Sequence, residues 1–385
     1  MRGNSLVAGL LSAGEVSILE FEPAVLRRQA MFNIGRMERA RKRQRLTAKA
    51  LAERAGISPV TLSRVINGQQ VPDEDTVDGL VRALGFPREF FFRDDAAPIS
   101  ADAASFRSLT AMSARERDAA LAAGSLAFEM SAWVRERFVL PQPDLLDLSH
   151  ERDPAGAARA LRQHWAIGER PISHMIKLLE TKGVRVFSLA ENTKNVDAFS
   201  CWHDGEPYVF LNTFKTTERS RFDAAHELAH LVLHKHGGPN QGRAAELEAH
   251  AFASSFLMPH DDVVATIPFV RSLDQLVLAK KRWGVSVAAL AHRLHRIGRI
   301  SDWNYRTFCI QINKRFGINE PDGFPPERSA IWQRVLTELW REGVTRQHVA
   351  ARLDIPEAEL DNLLFGLTGD VNPPSVGGSS LRLVP

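Results

Sequence analysis

Phe222-Asp-Ala-Ala-His-Glu-Leu-Ala-His-Leu-Val-Leu-His234 sets an H-E-x-x-H motif inside an apolar run of helical period. Residues four apart on a helix are neighbours on one face. His226 and His230 therefore present two imidazoles to one point, with Glu227 one step round the helix. Two such nitrogens, a third protein ligand and an open water position make a catalytic zinc site. Zinc lowers the pKa of its water to about 7, and a carboxylate takes the proton as that water attacks a carbonyl. Read instead as plain core histidines, the helix would bury three polar groups, each needing a partner. The metal reading uses all three: His226 and His230 as ligands, Glu227 as general base.

Working outward, Ser220-Arg-Phe-Asp223 reads as a capping box opening this helix. Before it, Pro207-Tyr-Val-Phe-Leu211 has β propensity, and a strand leading to a ligand helix suits a zincin-like α+β domain. The third ligand is expected from residues 244–258, a helical pattern that stops at Pro259. Glu246 shares a face there with Ala249, His250 and Ala253. Glu248 faces another side with Phe252. Spacing favours Glu246 and leaves Glu248 open. His234, His236, His250 and His260 read as surface or supporting residues. Ligand type points to zinc, although two histidines and a carboxylate also accept Mn or Fe.

A second informative region spans 31–95. Between 31 and 72, nine basic residues (Arg36, Arg39, Arg41, Lys42, Arg43, Arg45, Lys49, Arg54, Arg64) face only Glu38 and Glu53. The whole chain is nearly balanced, with 49 basic and 46 acidic residues, so this charge is local. Leu46–Gly68 reads as helix, turn, helix: Thr47 caps, Leu51, Ala52 and Ala55 turn inward, and Gly56 suits a turn that needs positive φ. Ile57, Leu62, Val65 and Ile66 form the stripe of the second helix. Ser58, Thr61 and Arg64 are left outward, followed by Asn67 and Gln69. In a helix-turn-helix such positions reach base edges, and flanking cations such as Arg41, Lys42 and Arg43 hold phosphates, with steep salt dependence.

The chain has 385 residues, enough for two or three domains, with 44 % hydrophobic and 25 % charged residues. Two cysteines, Cys201 and Cys309, imply no disulfide framework and suit a reducing cytoplasm. No apolar run of about 18 residues occurs, and Leu6–Leu11 lacks a signal-peptide layout. We expect an N-terminal extension over 1–30, a helix-turn-helix domain over 31–93 and a linker over 94–112. A zincin-like domain with leading helices follows over 113–269, then a helical C-terminal region over 270–365 and a disordered tail over 366–385. The fold class expected is mostly α with a small β-sheet (α+β). Ser113–Phe138 reads as a long amphipathic helix. Val184–Phe187, Ala198–Trp202 and Tyr208–Leu211 read as strands, with a hairpin turn at Asp204-Gly205. Lys281–Leu294 and Val344–Leu360 repeat helix-turn-helix spacing and are read as packing or dimer elements.

Residues 36–92 resemble the phage-repressor (XRE-type) helix-turn-helix family, including the Asn-Gly-x-x-x-Pro turn at 67–72. Residues 171–259 resemble the ImmA/IrrE metallopeptidase-like family through Leu179–Phe187, Asp197–Ser200, Tyr208–Asn212, His226–His230 and Glu246–Ala253 with Phe256-Leu-Met-Pro259. That resemblance implies His226, His230 and a downstream Glu as ligands, hence a gluzincin-like zinc metallo-endopeptidase. It also implies association with stress, mobile-element or metabolic regulators, and some members are proposed to cleave a repressor. The expected partners are double-stranded DNA, a protein substrate and a second copy of the chain, with no membrane. The alternative is a non-proteolytic transcription factor whose metallopeptidase-like domain senses an effector.

Overall fold

The computed structural model describes residues 31–94, 105–106, 113–189, 198–234, 242–317 and 319–369. The expected extension over 1–30 lies outside them. The described residues are mainly helical with one small sheet, an α+β arrangement.

Four helices open the described chain: α1 (Ile34–Arg43), α2 (Ala48–Ala55), α3 (Pro59–Ile66) and α4 (Glu74–Leu84). Asn33, Thr47, Ser58 and Asp73 each cap one, accepting a first-turn N–H that would otherwise lack a partner. Gly56, at φ 70°, makes the sharp turn from α2 to α3. Leu51, Ala52, Leu62, Val65 and Leu80 bury the shared apolar faces.

The expected linker holds a short strand, β1 (Ser105–Phe106), and is otherwise outside the described residues beyond Asp94 and before Ser113. α5 (Ala114–Arg135) begins at a Ser113/Glu116 capping box. It is less amphipathic than the sequence reading had it, because its middle, rich in small residues from Ala119 to Ala127, is covered on two sides. On one side Glu129 takes Arg36 (3.1 Å) and Arg39 (3.3 Å) of α1. On the other, Phe128 stacks on His203 at 3.8 Å and meets Tyr208 at 4.5 Å.

α6 (Pro154–His164) and α7 (Met175–Thr181) lead to β2 (Arg185–Ser188), β3 (Ala198–His203) and β4 (Glu206–Leu211). The sheet order is β1-β3-β4-β2, with β2 and β4 parallel and the rest antiparallel. Asp204 and Gly205, both at positive φ, form the hairpin turn expected between β3 and β4. Strand alternation sorts the sheet faces. Phe187, Phe199, Tyr208 and Phe210 stack into an aromatic layer, while Ser200 on the other face meets the next helix.

That helix, α8 (Thr217–Leu233), carries the H-E-x-x-H motif and is buried along almost its whole length. Thr216 caps it, so it starts a turn earlier than the Ser220 box would place it; Ser220 lies within the helix and Asp223 instead accepts Lys215 Nζ at 2.9 Å. α9 (Arg243–Leu257) packs along α8 and ends before Pro259. There follow α10 (His260–Thr266), α11 (Leu273–Ala279), α12 (Val287–Arg296), α13 (Asp302–Phe316), α14 (Ala330–Arg341), α15 (Arg346–Leu353) and α16 (Glu357–Leu364). Both helix-turn-helix echoes pack within the chain: Arg293 of α12 reaches Met258 O of the α9 end, and Glu359 of α16 reaches Arg43 of α1. The start of the expected disordered tail is ordered. Leu367 is fully buried and its carbonyl accepts Ser329 N–H at 2.8 Å; residues 370–385 lie outside the described residues. Among the described residues no helix is long and apolar enough to cross a membrane.

The C-terminal region also completes the sheet. Trp332 of α14 donates to Val186 O at 2.7 Å, which covers the outer edge of β2, and its ring lies 4.9 Å from Phe187. Glu180 accepts the first N–H groups of α14 from Ala330 (2.8 Å) and Ile331 (3.2 Å). Reciprocally, Glu327 accepts the N–H groups of Met175 (3.0 Å) and Ile176 (2.9 Å) opening α7, and pairs with Arg221 of α8.

Gly183, at φ 79°, joins α7 to β2, and a Cβ there would stand 2.3 Å from Gln142 O. Gly183→Ala should cost at least about 2 kcal/mol, from the left-handed backbone and the backbone clash together, read as a lowered denaturant midpoint. Burial raises the Glu327 carboxyl, but His174, Arg221 and the α7 N–H groups outweigh it and hold it at about 2, against an ordinary 4.5. A depressed carboxylate contributes fully above its unfolded pKa and loses that contribution as pH falls through the folded one. Stability should therefore drop by on the order of 3 kcal/mol between pH 4.5 and 2, and Glu327→Gln should flatten this part of the acid limb.

Candidate metal centre and nucleic-acid interface

α8 and α9 bring His226, His230 and Glu246 together, with one donor atom from each lying within 4.8 Å of the others. The Nε2 atoms of His226 and His230 are 3.2 Å apart; Glu246 Oε2 is 3.1 Å from the first and Oε1 3.4 Å from the second. Ligands about 2.0–2.1 Å from one tetrahedral ion are separated by about 3.3 Å. These spacings, with an imidazole, imidazole, carboxylate donor set, fit one face of such a tetrahedron. Burial raises the Glu246 carboxyl, but its bonds to both imidazoles and their charge hold it at about 2. It is thus ionised throughout the neutral range.

Glu248 goes elsewhere. Its Oε2 lies 3.0 Å from His234 Nε2, and His234 Nδ1 lies 3.0 Å from His230 Nδ1. With Glu248 ionised, His234 donates from Nε2 and accepts at Nδ1. His230 then donates from Nδ1, which leaves its Nε2 lone pair toward Glu246 and His226. Burial pulls the His234 pKa below its ordinary value despite the Glu248 carboxylate, in keeping with a neutral relay. The histidines thus recur at 226, 230 and 234, a four-residue period visible in the sequence.

Glu227 is fully buried, beside the cluster on α8. Ser200 Oγ of β3 donates to its Oε2 at 2.8 Å. Nothing in the sequence pointed to Ser200; only strand register places it there. Neighbouring Cys201 is buried, and burial together with the Glu227 charge pushes its thiol up to about 12.

On the N-terminal helices, Ser58, Arg64, Asn67 and Gln69 are exposed on or beside α3, and Thr61 is half-buried. Ser58 caps α3 and its hydroxyl bonds Thr61 Oγ1 at 2.8 Å, so both sit at the helix start. Val60, at the second position of α3, is 60 % exposed beside them, where an apolar side chain can meet a thymine methyl, although no sequence signal marks it. The basic cluster divides. Lys42, Lys49, Arg54 and Arg64 face solvent. Arg36 and Arg39 are buried on Glu129. Arg41 is drawn onto Glu38 (2.5 Å) and Leu46 O (2.6 Å). Arg43, expected at phosphate, is instead paired with Glu359 at 2.6 Å, both side chains 8 % exposed. The sequence could not show this, because the two lie 316 positions apart.

Residues 179–295 match the model of the IrrE N-terminal-like domain (Peptidase_M78), and residues 35–90 match that of a helix-turn-helix domain. The chain is a fusion of the two. No curated protein matches it. The helix-turn-helix domain supports DNA binding, and the IrrE N-terminal-like domain is protease-like and of a typically metal-dependent kind. The latter runs from the end of α7 through α12 and includes the whole His226, His230, Glu246 cluster.

Arg43→Ala should unfold the chain more readily by about 3 kcal/mol, because it strands the buried Glu359 carboxylate. Lys42→Ala, at an exposed site, should leave the thermal midpoint within error while weakening DNA binding and its salt dependence.

Proposed function

We propose that the chain is a DNA-binding regulator whose IrrE-like domain is a zinc-dependent endopeptidase, cutting a protein partner such as a repressor during a stress, mobile-element or metabolic response. The observation that carries this reading is the close approach of His226, His230 and Glu246 with Glu227 beside them on α8. A zinc ion held by those three would supply Lewis acidity and lower the pKa of a bound water to about 7. Glu227 takes the proton of the attacking water and passes it to the leaving amine, with Ser200 fixing the carboxylate orientation. Glu248 and His234 hold the His230 ring and its tautomer. Mn or Fe would fit the same donors.

At the other end, Ser58, Thr61, Arg64, Asn67 and Gln69 read bases in the major groove of double-stranded DNA, and Lys42 with neighbouring cations holds phosphate. A homodimer on paired half-sites, working in the cytoplasm, fits this mode of reading.

Elemental analysis of protein purified without chelator tests the centre. About one zinc per chain is expected in the wild type, lost in Glu246→Ala and kept in Glu248→Ala and Glu227→Gln. Cleavage of a co-expressed repressor partner should stop in Glu227→Gln. Metal loss in Glu227→Gln, or unchanged cleavage, would remove Glu227 from the role of base. Zinc retained with no cleavage by the wild type would favour a sensor domain instead.

A further inference from the structure

A cavity of about 730 Å³ lies between α6, α9 and α12, lined by Arg159, Arg162, His250, His292, Arg293 and Arg296 among others. On α9 its wall is formed by Leu247, His250, Ala251, Ser254 and Ser255, with His250 one turn after Glu246 of the metal cluster.

Its lining sets four arginines, Arg159, Arg162, Arg293 and Arg296, against three carboxylates, Asp153, Glu169 and Asp261, so cations are in excess by one. Arg293 is only 8 % exposed, and its two bonds go to neutral acceptors, Met258 O (3.0 Å) and Ser255 Oγ (3.0 Å). Among the described residues no carboxylate pairs with it, and burial alone pulls its pKa to about 10. Arg159 and Arg296 are exposed at the rim and likewise have no carboxylate partner among the described residues. Of the lining carboxylates, Asp153 accepts the N–H groups that open α6, and Asp261 lies 2.8 Å from His260 Nδ1; among the described residues neither forms an ion pair with Arg293. Glu169 interacts with Arg162, whose own donors reach backbone carbonyls. His292, half-buried, is lowered by burial and by the neighbouring Arg296, His295 and Arg293 charges. A buried cation lacking a counter-charge is costly, and an anion entering such a cavity relieves that cost.

We infer that this cavity binds a small organic anion bearing a carboxylate or phosphate, held by Arg293 within and by Arg159 and Arg296 at the rim. The site goes beyond the peptidase reading and does not depend on it. Its occupant would touch the metal-bearing helices, since His250 lines the cavity and its ring lies 4.9 Å from Phe222, one turn before His226.

Isothermal titration of the full chain with succinate and with inorganic phosphate tests this. Saturable one-to-one binding of at least one anion is expected. Arg159→Gln/Arg296→Gln, at exposed positions, should weaken it by about tenfold per arginine while leaving the ligand-free thermal midpoint unchanged. Arg293→Met should abolish it. Succinate alone would point to carboxylate metabolites and phosphate alone to phosphate esters; either supports the site. Failure of both to bind, or binding that survives in the rim double variant, overturns it.

Discussion

Burial of α8 is the constraint on which the rest depends. A helix that carries two imidazoles and a carboxylate, yet is covered almost end to end, puts a heavy demand for polar partners on its surroundings. The surrounding elements supply several of them. α9 brings Glu246 to the imidazoles, β3 brings Ser200 to Glu227, and the segment before α14 brings Glu327 to Arg221. Removing any one leaves a charge or dipole in a low-dielectric interior.

Charge also fixes how the helix-turn-helix domain sits. Arg36 and Arg39 close on Glu129 of α5, Arg43 on Glu359 of α16, and Arg93 on Asp354 at 3.3 Å. One face of the N-terminal helices is thereby given to the protein interior and the α3 face is left to solvent. A single cluster of arginines in sequence does two physically distinct jobs, and burial separates them.

Much of this was legible in the sequence because it is local. Helix period, the Gly56 turn, the hairpin at Asp204-Gly205 and the stop at Pro259 are set by residues within a turn of one another. The Glu246/Glu248 alternatives needed the α8–α9 packing, because both carboxylates lie within one turn and only the crossing of two helices distinguishes them. β1 carries too short a pattern to show, and α5 lost its amphipathic character because both sides of it are covered. Arg43, Ser200 and Leu367 take their environments from residues tens to hundreds of positions away, a relation no periodicity encodes.

The reciprocal caps of α7 and α14 have a consequence for biosynthesis. The helices α1 to α4 are translated ahead of α8 and share a local apolar core. The metal-motif helix emerges before its sheet has an outer edge, since Trp332 covers β2 and Glu327 anchors Arg221 only after about a hundred further residues. Until then Arg221 lacks its carboxylate partner and the edge of β2 is uncovered. The motif-bearing helix therefore reaches its final burial only once the C-terminal region has been made.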